Sequence, residues 1–277
     1  MKKVIAAFDG LRFSESTLQQ AVSLALQHNA HLVGVFLYEY TRRSFVIYES
    51  IVAQTRTGRD FIDELEKQDR TTYEASAARF EEACNKAGID CTVHRDKANA
   101  LKALLHESIF ADLLLIDRSE TFTYLDEDMP GWFVRNLLHD VHCPVWLVSP
   151  VINPVSRLIF FYDGTPSSVQ AIKAFTYIFP EMGVKDAEVI TLASATHGLN
   201  VPDSSLMTEW MRRHYPSATF KVLKNDRSDL ADLVKEYGSG SLLICGAYER
   251  DRLSTWLFHS FADQLMKKTD SPLFIAH

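Results

Sequence analysis

The chain has 277 residues, 47 % of them hydrophobic, four cysteines and a formal net charge of −7. That length and apolar content suffice for two domains that each bury a core, which excludes a disordered chain. The negative charge excludes a general nucleic-acid partner, because phosphate backbones need clustered Lys and Arg, and no apolar run approaches membrane-spanning length.

The acidity is uneven: residues 1–150 carry 16 basic and 22 acidic side chains, the rest 13 and 14. Most of the excess lies in Asp60 to Glu82 and in Asp126-Glu127-Asp128, a pattern that reads as a solvated helix face and a loop. Two lysines and a short apolar run precede Asp9-Gly10, too short for the apolar core of a secretion signal, so the expectation is a soluble cytoplasmic protein without membrane contact. Cys84, Cys91, Cys143 and Cys245 form no CxxC and no dense framework. Reduced and mostly buried thiols are expected, although Cys84 and Cys91 are close enough in sequence to pair.

In chain order, β-branched apolar runs predict strands near residues 3–8, 31–37, 90–95, 112–116 and 144–148. Between them the apolar spacing turns helical. Leu18, Ala21, Val22 and Ala25 share one face of a first helix, with Ser14 as N-cap and Glu15 in the first turn. Ala77, Phe80 and Cys84 mark a helix over 73–87 that ends at Gly88, and Leu101, Leu104 and Leu105 mark another over 98–110. Alternation of this kind predicts a parallel sheet covered by helices.

The plan then repeats. Val4 to Gly10 followed by Ser14 recurs as Leu158 to Gly164 followed by Ser168, with acid, glycine and serine at matching offsets. Leu113-Leu114-Leu115-Ile116 leading to Cys143-Pro144-Val145-Trp146-Leu147-Val148 is echoed by Leu242-Leu243-Ile244-Cys245 leading to Ser271-Pro272-Leu273-Phe274-Ile275-Ala276. Second-copy strands are expected near 157–162, 187–193, 218–223, 241–245 and 272–276. A repeat this long implies two domains, 1–150 and 155–277, joined by the stiff two-proline segment Ser149 to Pro154. The first copy alone carries a surplus near Thr41 to Arg70, to which the aromatics Tyr38, Tyr40, Phe45, Tyr48 and Phe61 belong. It reads as an extra packed helix and lid, or as the cover of a pocket or partner domain.

An apolar strand ending in Asp-Gly, a serine five positions after the acid, an Ala/Leu-rich helix and a closing Cys-Pro-Val strand together resemble the universal stress protein family. The resemblance covers both copies, so the chain is similar to a tandem member. It implies an α/β fold of two doubly wound, adenine nucleotide alpha hydrolase-like domains, each with a five-stranded parallel sheet. It also implies pairing of the two domains through their last strands, here an intramolecular pseudo-dimer, with a homo-oligomer or a protein partner beyond it.

The family contains members that bind ATP and members that do not. Binding members carry Gly, two residues, Gly, nine residues and Gly-Ser or Gly-Thr after the fourth strand, where backbone N–H groups reach phosphate oxygens. In the second copy this register falls on Gly246, Glu249, His259 and Ser260, so only the first and last positions fit. Glu249 puts a negative charge where a phosphate would pass, a cost of about 1 kcal/mol in water and about 4 at a protein surface at 4 Å; Arg250, Arg252 and a protonated His259 would offset it. In the first copy Asp117 and Glu120 replace the two glycines, Pro130-Gly131 takes the last pair, and Asp126 to Asp128 follow.

The residues expected to border a nucleotide are therefore Asp163, Gly164, Gly246 and Ser260, with Asp9 as the first-copy counterpart of Asp163. The alternative for Asp9 and Asp163 is that each simply caps its Asp-Gly turn, a role that needs no ligand. His139, Asp140 and His142 lack a third ligand placed by sequence, so no metal is expected. Trp210 to His214 reads as a helix face with a small basic aromatic patch. Hydrolase, P-loop and dehydrogenase signatures are missing, and Cys245 reads as a buried thiol. These features favour a stress-response protein that is not an enzyme, has no catalytic residue and no resident cofactor, and acts through ligand sensing or protein interaction. The competing reading is ATP or AMP binding in the second copy, with slow hydrolysis.

Overall fold

A computed structural model describes residues 1–38, 47–48, 59–96, 99–123, 127–193, 198–224, 237–238, 240–246 and 261–277. The chain divides into two compact units, Met1–His142 and Cys143–His277. The fold is a mostly parallel α/β sheet flanked by helices.

In the first unit the elements run β1 (Lys3–Asp9), α1 (Glu15–His28), β2 (His31–Leu37), α2 (Arg59–Ala87), β3 (Cys91–Asp96), α3 (Ala100–Ser108), β4 (Leu113–Asp117) and α4 (Trp132–Asp140). The strands lie in the order β3-β2-β1-β4, all parallel. Val4 to Phe8 and Leu113 to Ile116 are buried throughout, as continuous apolar strands covered on both faces must be. α1 starts where Ser14 Oγ accepts the Thr17 N–H at 3.3 Å and ends at Asn29, whose φ of 47° reverses the chain.

α2 begins earlier than the spacing predicts. Nothing between Arg59 and Ala87 breaks a helix, so the C-terminal part of the surplus segment continues into the predicted one. Phe61 is half-buried and Tyr48 exposed, whereas Tyr40 and Phe45 lie outside the described residues. Two contacts fix the sides of β3: Arg95 reaches Glu74 of α2 at 3.7 Å, and His94 reaches Glu107 of α3 at 2.6 Å. Since strand side chains alternate, α2 and α3 cover opposite faces.

In the second unit β5 (Val145–Val148), β6 (Arg157–Phe161), α5 (Pro166–Ile178), a 3-10 turn (Pro180–Val184), β7 (Asp186–Leu192), α6 (Ser204–His214), β8 (Thr219–Leu223), β9 (Ser241–Gly246), α7 (Phe261–Lys268) and β10 (Leu273–Ala276) follow in sequence. The order is β5-β10-β9-β6-β7-β8. Its last five strands are parallel, while β5 runs antiparallel to β10 through Leu147↔Leu273 and Trp146↔Phe274. This pairing places β5 in the second unit, so the division between the units falls between His142 and Cys143. The core here is aromatic: Phe179 stands edge-on to Trp146 at 5.5 Å, and Phe175 edge-on to Phe274 at 5.2 Å.

Candidate functional site

Ligands of open α/β sheets bind beyond the carboxyl ends of the strands, where the strand order reverses. In the first unit that point lies between β1 and β4, which end in Asp9 and Asp117. Asp9 is 2 % exposed, and its Oδ1 accepts the Leu11 N–H at 2.8 Å, the self-capping bond of an Asp-Gly turn. Asp117 accepts the Ser14 hydroxyl at 2.8 Å through Oδ2, and the N–H and hydroxyl of Ser119 at 2.9 and 2.7 Å through Oδ1. Ser14 thus caps α1 and ties it to β4.

Glu120 is 8 % exposed, and its Oε1 accepts the N–H groups of Thr121 and Phe122 at 3.0 and 2.9 Å. Burial, reinforced by the Asp9 and Asp117 charges, pushes its pKa up to about 7 against the Phe122 hydrogen bond and the Arg12 charge. Phe122 holds a left-handed φ of 55°, and its buried ring lies 4.3 Å from that of Phe133. A bulky residue is strained in that conformation, and the Glu120 bond and ring burial hold it there. Further along, Glu127 Oε2 accepts the Trp132 N–H at 2.5 Å, taking the first free donor of α4, whose N-cap Gly131 has no side chain to offer. The N–H groups of Ser119, Thr121, Phe122 and Trp132 are thereby turned onto the chain's own carboxylates.

The neighbouring end of β2 is filled as well. The Tyr73 ring of α2 occupies the space where a side chain on Gly10 would sit, 2.1 Å from an ideal Cβ, and its hydroxyl donates to the Phe36 carbonyl at 2.8 Å. Ser76 donates to the Gly10 carbonyl at 2.9 Å. Phe13 stacks on Phe8 at 4.9 Å under the Arg79 guanidinium. Tyr73, Ser76, Phe13 and Arg79 were not legible as site residues, because only the packing of α2 brings them to this end.

In the second unit Asp163, Gly164 and Gly246 gather at the N-terminus of α5. Asp163 is exposed, unlike Asp9, and its Oδ1 accepts the N–H and hydroxyl of Thr165 at 2.9 and 2.7 Å. Thr165 is the N-cap, because Pro166 starts the helix three residues after Asp163, whereas α1 starts six residues after Asp9. Gly164 has a φ of +86°, and Pro202 lies 2.7 Å from its ideal Cβ. Gly246 has Ser167 Oγ at 2.8 Å and backbone atoms of Ser167 and Ser168 at 3.0 Å, so close helix packing itself requires glycine there. Ser260, with Glu249, Arg250, Arg252 and His259, lies outside the described residues. Tyr162, beside this turn, is buried, and burial followed by the Asp203 and Asp163 charges raises its pKa.

The other candidates resolve into packing. His139 Nδ1 pairs with Asp140 at 2.7 Å, the His142 N–H donates to Ser108 Oγ at 3.1 Å, and Trp210 lies against His214 at 4.2 Å. Among the described residues no three metal-ligating side chains converge. Cys245 is 1 % exposed, and burial pushes its pKa up to about 12, which keeps it an unreactive thiol at neutral pH. Among the described residues no helix is long and apolar enough to cross a membrane.

The model of the universal stress protein family matches residues 1–149. A universal stress protein from Archaeoglobus fulgidus DSM 4304 shares the fold at a TM-score of 0.69, with 12 % identity over 99 % of this chain and 97 % of that one. A functionally unknown protein from Pseudomonas aeruginosa PAO1 does so at a TM-score of 0.59, with 11 % identity over 100 % of this chain and 92 % of that one. No curated protein matches the chain in sequence.

Proposed function

Because the chain belongs to the universal stress protein family and so is a stress-response protein, we propose that it works without catalysis, by sensing a ligand or binding a protein, through two copies of one domain, 1–150 and 155–277. The observation that carries this reading is the carboxylate occupancy of the loop after β4. Asp117, Glu120 and Glu127 accept the N–H groups of Ser119, Thr121, Phe122 and Trp132. A triphosphate entering there meets negative charge and finds these donors taken. One like-charge contact at 4 Å costs about 4 kcal/mol near a protein surface, nearly three decades in affinity. An uncharged or cationic ligand fits that charge better.

A second reading, ATP or AMP binding in the second copy, is favoured by the convergence of Asp163, Gly164 and Gly246 on the start of α5. Titration calorimetry of the full chain with Mg-ATP separates the two. The first reading expects no heat of binding at ligand concentrations up to about 1 mM, and tight, Mg-dependent binding overturns it. The cytoplasm as the site of action and association with further copies or a protein partner belong to the same proposal.

A further inference from the structure

The C-terminal end of α2 and the start of β3 bring two thiols together. Cys84 is 0 % exposed and Cys91 is partly exposed, and neither forms a disulfide. Side-chain alternation places them on a common face: His94 and Thr92 point to the α3 side, where Thr92 Oγ1 meets His31 Nε2 at 3.1 Å, so Cys91 and Arg95 point to the α2 side.

The register agrees. The helix runs into β3 through Gly88, whose φ is +67°, with the Ile89 N–H bonded to the Cys84 carbonyl at 3.0 Å, so helix and strand are antiparallel. From Glu74 to Cys84 the helix advances about 15 Å, and from Arg95 back to Cys91 the strand covers about 13 Å. Starting from the Arg95–Glu74 contact, Cys84 therefore arrives abreast of Cys91 on the face that both share.

We propose that Cys84 and Cys91 form a reversible disulfide, a thiol oxidation site for hydroperoxides that fastens the end of α2 to the edge strand β3. Exposure selects Cys91 as the first to react. Its thiolate attacks a peroxide oxygen, the O–O bond breaks, and the leaving oxygen takes a proton as water or an alcohol, giving a sulfenic acid on Cys91. The Cys84 sulfur then attacks Cys91 Sγ; the S–O bond breaks and hydroxide leaves with the Cys84 proton as water. Two thiols are oxidised by two electrons and one peroxide is reduced, and a dithiol reductant reverses the change. Burial, with the Cys91 thiol and the Glu81 charge, pushes the Cys84 pKa up to about 12, which keeps it protonated at neutral pH and leaves the first attack to Cys91.

The test treats the reduced full chain with hydrogen peroxide, removes the oxidant, denatures and alkylates it, and reads intact mass and a peptide map. Alkylated thiols are expected to fall from four to two, with a loss of about 2 Da, a peptide linking Cys84 to Cys91, and recovery with dithiothreitol. Cys84→Ser is expected to leave a sulfenic acid on Cys91 that dimedone traps. Should burial of Cys84 make that variant unfold, Cys91→Ser at the more exposed position is expected to abolish the link while retaining the folded circular dichroism spectrum. Four alkylated thiols after peroxide, a link between other cysteines, or Cys91 driven to the sulfinic acid beside an alkylated Cys84 overturns the proposal.

Discussion

Glu120 makes the loop after β4 a source of pH-dependent instability, and Glu120→Gln isolates it. The side chain ordinarily titrates at 4.5, and in the folded chain burial raises this to about 7. Between those values the folded state keeps a proton that the unfolded state has released. Stability from this group is complete below about pH 4.5 and is lost as the pH rises through 7. At about 1.4 kcal/mol per pH unit, the loss amounts to about 3 kcal/mol. Glutamine keeps an oxygen that accepts the Thr121 and Phe122 N–H groups but carries no charge beside Asp9 and Asp117. In urea unfolding, the variant is therefore expected to exceed the parent by about 3 kcal/mol at pH 8 and to match it near pH 4.5. The difference between variant and parent at each pH cancels the remaining carboxylates. A gain of equal size at both pH values, or a loss at pH 8, refutes the argument that a buried negative charge is the cost.

Three further outcomes are expected. Gly246→Ala puts a methyl group against the Ser167 backbone at 3.0 Å and is expected to cost about 1–3 kcal/mol by thermal melting; a neutral result would show that α5 yields readily. Gly10→Ala forces the Tyr73 ring away from the end of β1, and denaturant unfolding should show a loss of similar size, about 1–3 kcal/mol, together with a change in tyrosine fluorescence. Ser14→Ala removes both the cap of α1 and the hydroxyl that binds Asp117, for about 1–2 kcal/mol in the same assay; an effect confined below about 0.5 kcal/mol argues that Asp117 finds a substitute donor.

What was legible in the chain was whatever repeats locally. The Ser14 cap, the buried face of Ala77, Phe80 and Cys84, and the turn at Gly88 each follow from spacing within one element, and all are present. Asp117 and Glu120 were legible as misfits in a phosphate loop. Their hydrogen bonds to the loop itself were not, because a run of acids is more simply solvated, and only the path of the chain after β4 shows Glu120 buried. Tyr73 was hidden for a similar reason: a tyrosine on a helix declares neither its depth nor the glycine it covers. Cys84 and Cys91 required strand parity and helix direction together, which two isolated cysteines do not reveal. Gly246 had the clearest sequence reason, as a phosphate-loop glycine, and the structure adds one that needs no phosphate.

The antiparallel seam between β5 and β10 bears on how the protein can be cut. A fragment beginning at residue 155 keeps the parallel strands β6 to β10 but loses Val145 to Val148, and with them the partners of Leu273, Phe274 and Ile275. Its border strand then offers bare amide and carbonyl groups beside buried aromatics, a template for annealing to another copy of itself. A cut at residue 154 is thus expected to yield a C-terminal fragment that self-associates, whereas one that retains residues 143–150 keeps β10 paired.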